Sequence, residues 1–192
     1  MKTRRKPYWH VFAVSIALAL VAGFASQETA KAQAMPNPAS IVKATSYVSV
    51  DPVPQGQAFE AAVVMEISSG FHMNSHKPSE DYLIPTTVTA DPPPGIKVVD
   101  TVYPAGELKK FTFSPNKPLD VYTGSVMLEL KLAADPKLAL GAMSIPVTLR
   151  YQACNDTACL PPVKVPVVVR FDVAAAGTTA HQIHPEIFTA KH

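Results

Sequence analysis

Two cysteines carry the chemistry that this sequence can offer. Cys154 and Cys159 are the only cysteines in the chain, and they lie five positions apart between two apolar, β-rich runs, Met143–Tyr151 and Val163–Val173. The residues between them include Asn155-Asp156-Thr157, whose short polar side chains favour a turn. The sequence therefore predicts a β-hairpin with the cysteines opposite each other, their Cα atoms about 4.5–5.5 Å apart, which a disulfide can bridge.

A disulfide at this spacing has two interpretations. As a structural staple it would stabilise the fold by only about 2 kcal/mol, whereas a bridge between strands ~60 residues apart would contribute about 4 kcal/mol. A hairpin finds its register without a cross-link, and close cross-strand disulfides are often easily reduced. The pair is therefore equally consistent with a redox couple that opens and closes, and the residues alone leave both interpretations open.

The beginning of the chain resembles an export signal. Four basic residues before position 7 precede the uncharged apolar run Val11–Ala25, and small-residue cleavage triplets end at Ala32 and Ala34. This order predicts a secretory signal peptide over residues 1–34, with an uncleaved membrane anchor as the alternative, although the apolar run is shorter than the ~20 residues that a membrane span needs. We therefore expect a periplasmic or otherwise exported protein, soluble after signal cleavage, in a compartment where disulfides persist.

The charge of the expected mature chain argues against a nucleic-acid partner. Residues after Ala34 include twelve Lys and Arg side chains against fourteen Asp and Glu side chains, a net charge of −2. No basic stripe remains that could follow a phosphate backbone. We therefore predict no nucleic-acid partner.

The expected mature chain is rich in strand patterns. In one of them Val63, Met65 and Ile67 alternate with Val64 and Glu66. The runs with such a pattern are Ile41–Val50, Gln57–Ile67, Tyr82–Ala90, Ile96–Tyr103, Leu119–Leu132, Met143–Tyr151 and Val163–Val173. Period-two alternation between proline-rich turns predicts an all-β fold, an antiparallel β-sandwich. We expect a short linker at residues 35–40, one domain over residues 41–173, and a disordered tail over residues 174–192.

A second stretch of chemical interest precedes Pro78. His72, Met73 and His76 are possible soft-metal ligands, and copper would suit an exported β-sandwich, so that a copper carrier is one functional hypothesis. The other interpretation is a strand followed by a polar turn, with one histidine hydrogen-bonded and the other solvated. A copper site normally recruits a further ligand from a distant loop, which a cysteine could supply only if unpaired. We therefore predict no metal site.

Two aromatic residues stand out in the long connection Tyr103–Pro118. Phe111 and Phe113 lie among lysine, serine and asparagine side chains. They either pack back into the core or cover a reactive site that must open for a partner. The sequence does not choose between these alternatives.

No other catalytic pattern competes with the cysteines. The sequence contains no Ser–His–Asp order, phosphate-binding loop, paired-carboxylate motif or dinucleotide fingerprint. We therefore predict no cofactor and expect any chemistry to run through Cys154 and Cys159.

The cysteine motif is similar to that of a known family. Tyr151-Gln152-x-Cys154, followed by Cys159-x-Pro161-Pro162, resembles the signature of the N-terminal periplasmic domain of the thiol:disulfide interchange protein DsbD. Other segments that occur in the same order in such domains are Gly70–Pro78, Leu83-Ile84-Pro85-Thr86, Val102-Tyr103-Pro104 and Val121-Tyr122-Thr123-Gly124. The resemblance covers about residues 42–173, nearly the whole expected mature chain.

The resemblance implies an immunoglobulin-like fold and a redox function. Members receive electrons from a membrane-embedded relay through a thioredoxin-like domain and pass them to oxidised periplasmic proteins, which implies a protein-disulfide reductase or interchange component. By resemblance, Cys159 forms the mixed disulfides and Cys154 resolves them, with Tyr151 and Pro161 as supporting motif residues. The family also has a cap loop over the cysteine pair, a role that would fall to residues 103–118 with Phe111 or Phe113 as the shielding ring.

Two departures from the family bear on this expectation. The membrane segment and the C-terminal thioredoxin-like domain of full-length DsbD are missing from this sequence, so the expected electron donors are separate chains. The cysteine spacing is one residue shorter than in the best-known members, which affects how the hairpin presents Cys159. The competing hypothesis is a non-catalytic immunoglobulin-like binding or assembly module whose hairpin disulfide is only a staple.

Overall fold

The computed structural model describes residues 35–189, and the fold within them is almost entirely β. A short 3₁₀ helix (Pro38–Ser40) precedes the first strand. The strands are β1 (Val42–Val48), β2 (Val50–Asp51), β3 (Val53–Pro54), β4 (Ala58–Ile67), β5 (His72–Asn74), β6 (Thr87–Ala90), β7 (Ile96–Val102), β8 (Glu107–Phe111), β9 (Ser114–Tyr122), β10 (Ser125–Ala134), β11 (Gly141–Tyr151), β12 (Ala153–Cys154), β13 (Val163–Ala174) and β14 (His181–Gln182). One short helix, α1 (Pro185–Phe188), follows them.

Among the described residues the strands form three four-stranded sheets and one two-stranded pair. The first sheet has the order β1-β4-β10-β7, and the second has the order β3-β13-β11-β6. The third, β12-β5-β9-β8, carries Cys154 in its edge strand β12. Neighbouring strands run antiparallel throughout, except that β3 lies parallel to the end of β13.

The core lies between the inward faces of the first two sheets. Because side chains alternate sides along a strand, buried residues recur at every second position along much of β4, β10, β11 and β13. Buried residues from both sheets join one cluster, which includes Val63 and Met65 of β4, Leu128, Leu130 and Leu132 of β10, Ile145, Leu149 and Tyr151 of β11, and Val169 and Phe171 of β13. This packing confirms the predicted all-β, immunoglobulin-like antiparallel β-sandwich.

The segment expected to be a long connection, residues 103–118, is instead largely a β-hairpin. Its strands are β8 and the first half of β9, joined by a turn at Thr112 and Phe113. The prediction was wrong because β8 is the edge strand of its sheet and most of its side chains are exposed. Such a strand lacks the apolar alternation from which strands were inferred.

Other strand boundaries also differ from the prediction. The run Leu119–Leu132 was expected to be a single strand, but it spans parts of β9 and β10. The chain turns between them at Gly124, whose φ of +65° lies in the left-handed region that glycine adopts without steric cost. Of the run Tyr82–Ala90, only Thr87–Ala90 forms a strand.

The tail predicted to be disordered is ordered as far as the structure describes it, to residue 189. Residue 174 completes β13, and β14 pairs with β2 through the partners His181↔Asp51 and Gln182↔Val50. The Ile183 N–H donates to the Ser49 carbonyl (3.0 Å). Backbone hydrogen bonds attach this segment to the rest of the domain. Because such bonds do not depend on the side chains, they produce no hydrophobic pattern in the sequence, and the composition alone therefore suggested disorder.

The predicted signal peptide, residues 1–34, lies outside the described residues. Within residues 35–189, no helix is both long enough and apolar enough to cross a membrane.

Candidate redox site

The two cysteines form a disulfide across a hairpin. Cys154 and Cys159 face each other as an antiparallel bridge pair, with Sγ atoms 1.98 Å and Cα atoms 3.9 Å apart. The predicted hairpin and pairing are therefore confirmed, although the Cα atoms lie closer than the sequence suggested.

Asn155 organises the loop between the cysteines. Its side-chain oxygen accepts hydrogen bonds from the N–H groups of Thr157 and Ala158, each 2.9 Å long. Its own N–H donates to the Ala158 carbonyl (2.9 Å), which closes the turn. This is the local bonding that makes asparagine a turn residue, and it presents Cys159 at the surface.

The third sheet determines where the cysteines point. Strand β12 pairs with β5 so that Ala153 lies opposite Met73 and Cys154 lies opposite His72. Ala153 and Met73 belong to the main core. Because successive side chains of a strand point to opposite faces, His72 and Cys154 project together from the other face of the sheet.

The β8–β9 hairpin covers that other face. Phe111 stacks on the His72 imidazole, with ring centroids 4.0 Å apart, and Phe113 stacks on Phe111 at 5.4 Å. At the tip of the hairpin, the Thr112 hydroxyl donates to the Asp156 carbonyl in the cysteine loop (2.6 Å). The hairpin thus contacts both the loop between the cysteines and the residue opposite Cys154.

The two phenylalanines lie in different environments. Phe111 is buried in a small cluster of its own with Leu83, Leu119 and Val121, apart from the main core. Phe113 is 44% exposed at the turn. The sequence had suggested that the two rings either pack into the core or cover a reactive site, and neither alternative describes both of them. Phe111 packs in a separate small cluster beside the cysteine hairpin, whereas Phe113 extends towards solvent.

The two cysteine residues differ in accessibility. Cys154 is buried, with only 1% of its surface exposed, whereas Cys159 is exposed. Disulfide exchange begins with a thiolate reaching one sulfur of the pair. An incoming protein can therefore reach Cys159 more easily than Cys154.

The supporting motif residues hold the base of the hairpin. Tyr151 is fully buried, its hydroxyl donates to the Pro38 carbonyl (2.8 Å), and burial raises the pKa of its phenol. The Gln152 amide donates to the Leu160 carbonyl (3.3 Å) across the hairpin. Pro161 is exposed directly after the buried Leu160 and has no N–H to donate.

The structure does not bring the three candidate metal ligands together. Met73 points into the main core, whereas His72 projects from the opposite face of the same strand. His76 stacks on Tyr103, with ring centroids 3.6 Å apart, and its Nδ1 bonds the Thr86 carbonyl (3.1 Å). Within residues 35–189, no group of three or more histidine, cysteine or acidic side chains could hold a metal ion.

His72 is the residue of this site that sequence reasoning misread, because it is neither solvated nor hydrogen-bonded through its Nε2. The side chain is 3% exposed, and its Nε2 is buried without a hydrogen-bond partner. Burial lowers its pKa to about 4; the nearby Asp156 opposes this shift and Lys109 adds to it. The imidazole is therefore neutral near pH 7. The alternation of side chains along the strand could have placed His72 on the face opposite Met73. Its burial there could not be predicted, because the hairpin that covers this face was not predicted.

Mild acid is expected to destabilise the fold through His72. Its pKa falls from 6.5 to about 4 on folding, so the unfolded chain binds more protons between these values. The unfolding free energy should decline as pH falls through this range, with a contribution from this group of about 3 kcal/mol. Urea unfolding of the wild type and His72→Phe across this range measures the effect. If the two proteins lose stability in parallel, His72 is not the group responsible.

Comparison with known proteins agrees with the cysteine site. A family model described as "Thiol:disulfide interchange protein DsbD, N-terminal" matches residues 38–169, which include both cysteines and the covering hairpin. The search of curated proteins found no match.

Two solved structures are similar to this chain. The Neisseria meningitidis DsbD N-terminal domain in its reduced form has 19% identity and a TM-score of 0.42, with 77% of this chain and 94% of that chain covered. The N-terminal periplasmic domain of ScsB from Proteus mirabilis has 10% identity and a TM-score of 0.44, with 66% of this chain covered. The match spans 45% of the ScsB chain. Since the family model covers most of the sequence, the chain belongs to the DsbD N-terminal domain family, which takes part in thiol:disulfide exchange.

Proposed function

We propose that this chain is an exported, periplasmic interchange domain that relays electrons through its Cys154–Cys159 pair. A thioredoxin-like protein or a membrane-embedded relay of the DsbD type reduces the pair, and the reduced pair then reduces oxidised exported proteins. The observation that carries this proposal is the difference in exposure between the two cysteine residues, since Cys159 is exposed while Cys154 is 1% exposed.

The loading reaction is two thiol–disulfide exchanges. A thiolate of the donor attacks the Cys159 sulfur, the Cys154–Cys159 bond breaks, and Cys154 leaves as a thiolate that takes up a proton. The second thiolate of the donor then attacks its own sulfur in the mixed disulfide. This step forms the donor's disulfide and releases Cys159 as a thiolate that takes up the second proton, so that two electrons and two protons have passed to the pair.

The unloading reaction reverses this order with a different protein. Cys159 loses its proton, and its thiolate attacks one sulfur of the disulfide of an oxidised target. The target's sulfur–sulfur bond breaks, its other sulfur leaves as a thiolate that takes up a proton, and a mixed disulfide forms. Cys154 loses its proton and attacks the Cys159 sulfur, which restores the pair and releases the target as a dithiol. In this scheme Cys159 meets both partners and Cys154 resolves both adducts.

The surroundings of Cys159 support access by a protein partner. Leu160, Pro161 and Pro162 follow it directly in the chain. The two prolines have no backbone N–H and so cannot donate a hydrogen bond to a neighbouring strand. The β8–β9 hairpin, bound to the cysteine loop through Thr112, acts as the cap in this proposal. Phe111 and Phe113 are its shielding rings, and they cover the Cys154 side of the pair.

Trapping with single-cysteine variants tests the relay. The probe is a thioredoxin-like protein with one active cysteine, activated as a mixed disulfide with thionitrobenzoate. We expect Cys154→Ser to displace thionitrobenzoate and form a covalent adduct on non-reducing gels. Because its remaining thiol is buried, Cys159→Ser should form the adduct at least about tenfold more slowly, a factor that corresponds to about 1.4 kcal/mol.

The same experiment distinguishes the relay from a structural staple. A double variant, Cys154→Ser with Cys159→Ser, controls for non-covalent association. If neither single variant forms an adduct and both lose about 2 kcal/mol of stability, the disulfide is the staple of a binding or assembly module. An adduct from Cys159→Ser alone would contradict the assigned roles of the two cysteines.

A further inference from the structure

The buried imidazole beside Cys154 has no function in the exchange steps above. His72 projects from the same face of the sheet as Cys154, and the two residues are direct partners in the β5–β12 ladder. Directly paired residues place their Cβ atoms about 4.5–5.5 Å apart. Phe111 covers one face of the imidazole at 4.0 Å and excludes water from it.

The oxidised protein leaves one atom of this imidazole unsatisfied. The His72 Nε2 is buried and has no hydrogen-bond partner. The neighbouring disulfide has no S–H to donate and carries no charge, so it cannot satisfy the nitrogen well. An unsatisfied buried polar group destabilises the state that contains it, and that state is the oxidised one.

We propose that His72 is the hydrogen-bond partner of Cys154 in the reduced protein and thereby makes the Cys154–Cys159 disulfide easier to reduce. This inference rests on the proposed redox function of the pair. His72 is a positioning and tuning residue here, because no bond to the imidazole forms or breaks.

Reduction supplies the missing partner. A dithiol reductant gives two electrons and two protons to the pair, the sulfur–sulfur bond breaks, and the Cys154 side chain becomes free to rotate about its Cα–Cβ bond. Its S–H then donates to Nε2, or its thiolate accepts from Nε2–H in the other tautomer. In both cases the interaction exists only in the reduced state and favours that state.

The charge state of the imidazole agrees with this arrangement. Burial keeps the pKa of His72 near 4, and the charged groups that act on it are Asp156 in the cysteine loop and Lys109 on β8. At pH 7 the neutral ring offers one N–H and one lone pair, which suits a thiol or a thiolate at close range.

Redox equilibration of the full chain with dithiothreitol buffers tests the proposal. We expect His72→Phe to lower the equilibrium constant for reduction about tenfold, which is a fall of about 30 mV in the potential of this two-electron couple. His72→Gln keeps a group that can both donate and accept, and it should remain close to wild type. An unchanged potential in His72→Phe overturns the proposal, as does a His72→Gln potential equal to that of His72→Phe.

A second measurement needs no variant. Reduction of the wild type should shift the ¹⁵N resonance of the His72 Nε2, because that nitrogen gains a partner. The His76 imidazole, whose Nδ1 already bonds the Thr86 carbonyl, is the internal control and should not shift comparably. A His72 resonance that stays unchanged on reduction also overturns the proposal. Neither experiment uses a protein partner, so a tuned disulfide that traps no partner would contradict the relay and leave this inference intact.

Discussion

Alanine at both Phe111 and Phe113 is expected to raise the alkylation rate of Cys154 about tenfold or more, because opening the cover then costs less by at least about 1.4 kcal/mol. Phe111 lies on His72, the residue directly opposite Cys154, and Phe113 stacks on Phe111. Cys159 is already exposed, so its alkylation rate should change little. The hairpin is thus expected to protect Cys154 rather than Cys159.

Iodoacetamide labelling followed by mass spectrometry measures these rates. The double alanine change is placed in Cys159→Ser to observe Cys154 and in Cys154→Ser to observe Cys159. Leu108→Ala is the matched control, since Leu108 lies on the same hairpin and is 72% exposed. Equal rates with and without the two phenylalanines would show that the hairpin does not shield Cys154.

Tyr151→Ala is expected to destabilise the protein by about 3–5 kcal/mol, the usual loss when a large buried aromatic side chain is truncated. Tyr151 is fully buried at the end of β11, directly before the cysteine hairpin. Its hydroxyl also donates a hydrogen bond to the Pro38 carbonyl, in the short helix that precedes β1. Tyr151→Phe removes only this hydrogen bond and should lose about 1 kcal/mol.

Urea unfolding of the oxidised proteins measures both losses. Tyr82→Ala is the control, because Tyr82 is 74% exposed and a surface change of this kind should stay within about 0.5 kcal/mol. If Tyr151→Ala resembled that control, the hairpin would not depend on the core beneath it. A loss in Tyr151→Phe as large as that in Tyr151→Ala would show that the hydroxyl, rather than the ring, holds the base of the hairpin.

The strands that could be predicted from the sequence are those with one buried face and one more exposed face. Val63 and Met65 of β4 alternate with residues of the opposite side, and the same pattern extends through β10, β11 and β13. One buried face per strand is the physical origin of that alternation. The cysteine hairpin was predictable for a different reason, since Asn155 forms its turn through local bonds alone.

The parts that were missed depend on contacts between distant residues. Strand β8 lies at a sheet edge with most of its side chains exposed, and β14 has only two residues. Neither strand therefore shows an alternation of apolar and polar residues from which it could be predicted. His72 is buried because Phe111, thirty-nine positions further along the chain, stacks on it. Whether a lone histidine is buried or solvated depends on what covers it, and its immediate sequence does not contain that information.

The short span of the disulfide separates its formation from the assembly of the domain. Cys154 and Cys159 are five positions apart, whereas the sheets must join segments as distant as Val53 and Val173. Closing a small loop is rapid, and pairing strands across such separations is slow. Because the two cysteines meet through a local turn, an oxidant can form this disulfide without the rest of the polypeptide being folded. An oxidised pair is consequently no evidence of a folded protein, and quality control that senses free thiols would not distinguish a misfolded copy from a native one.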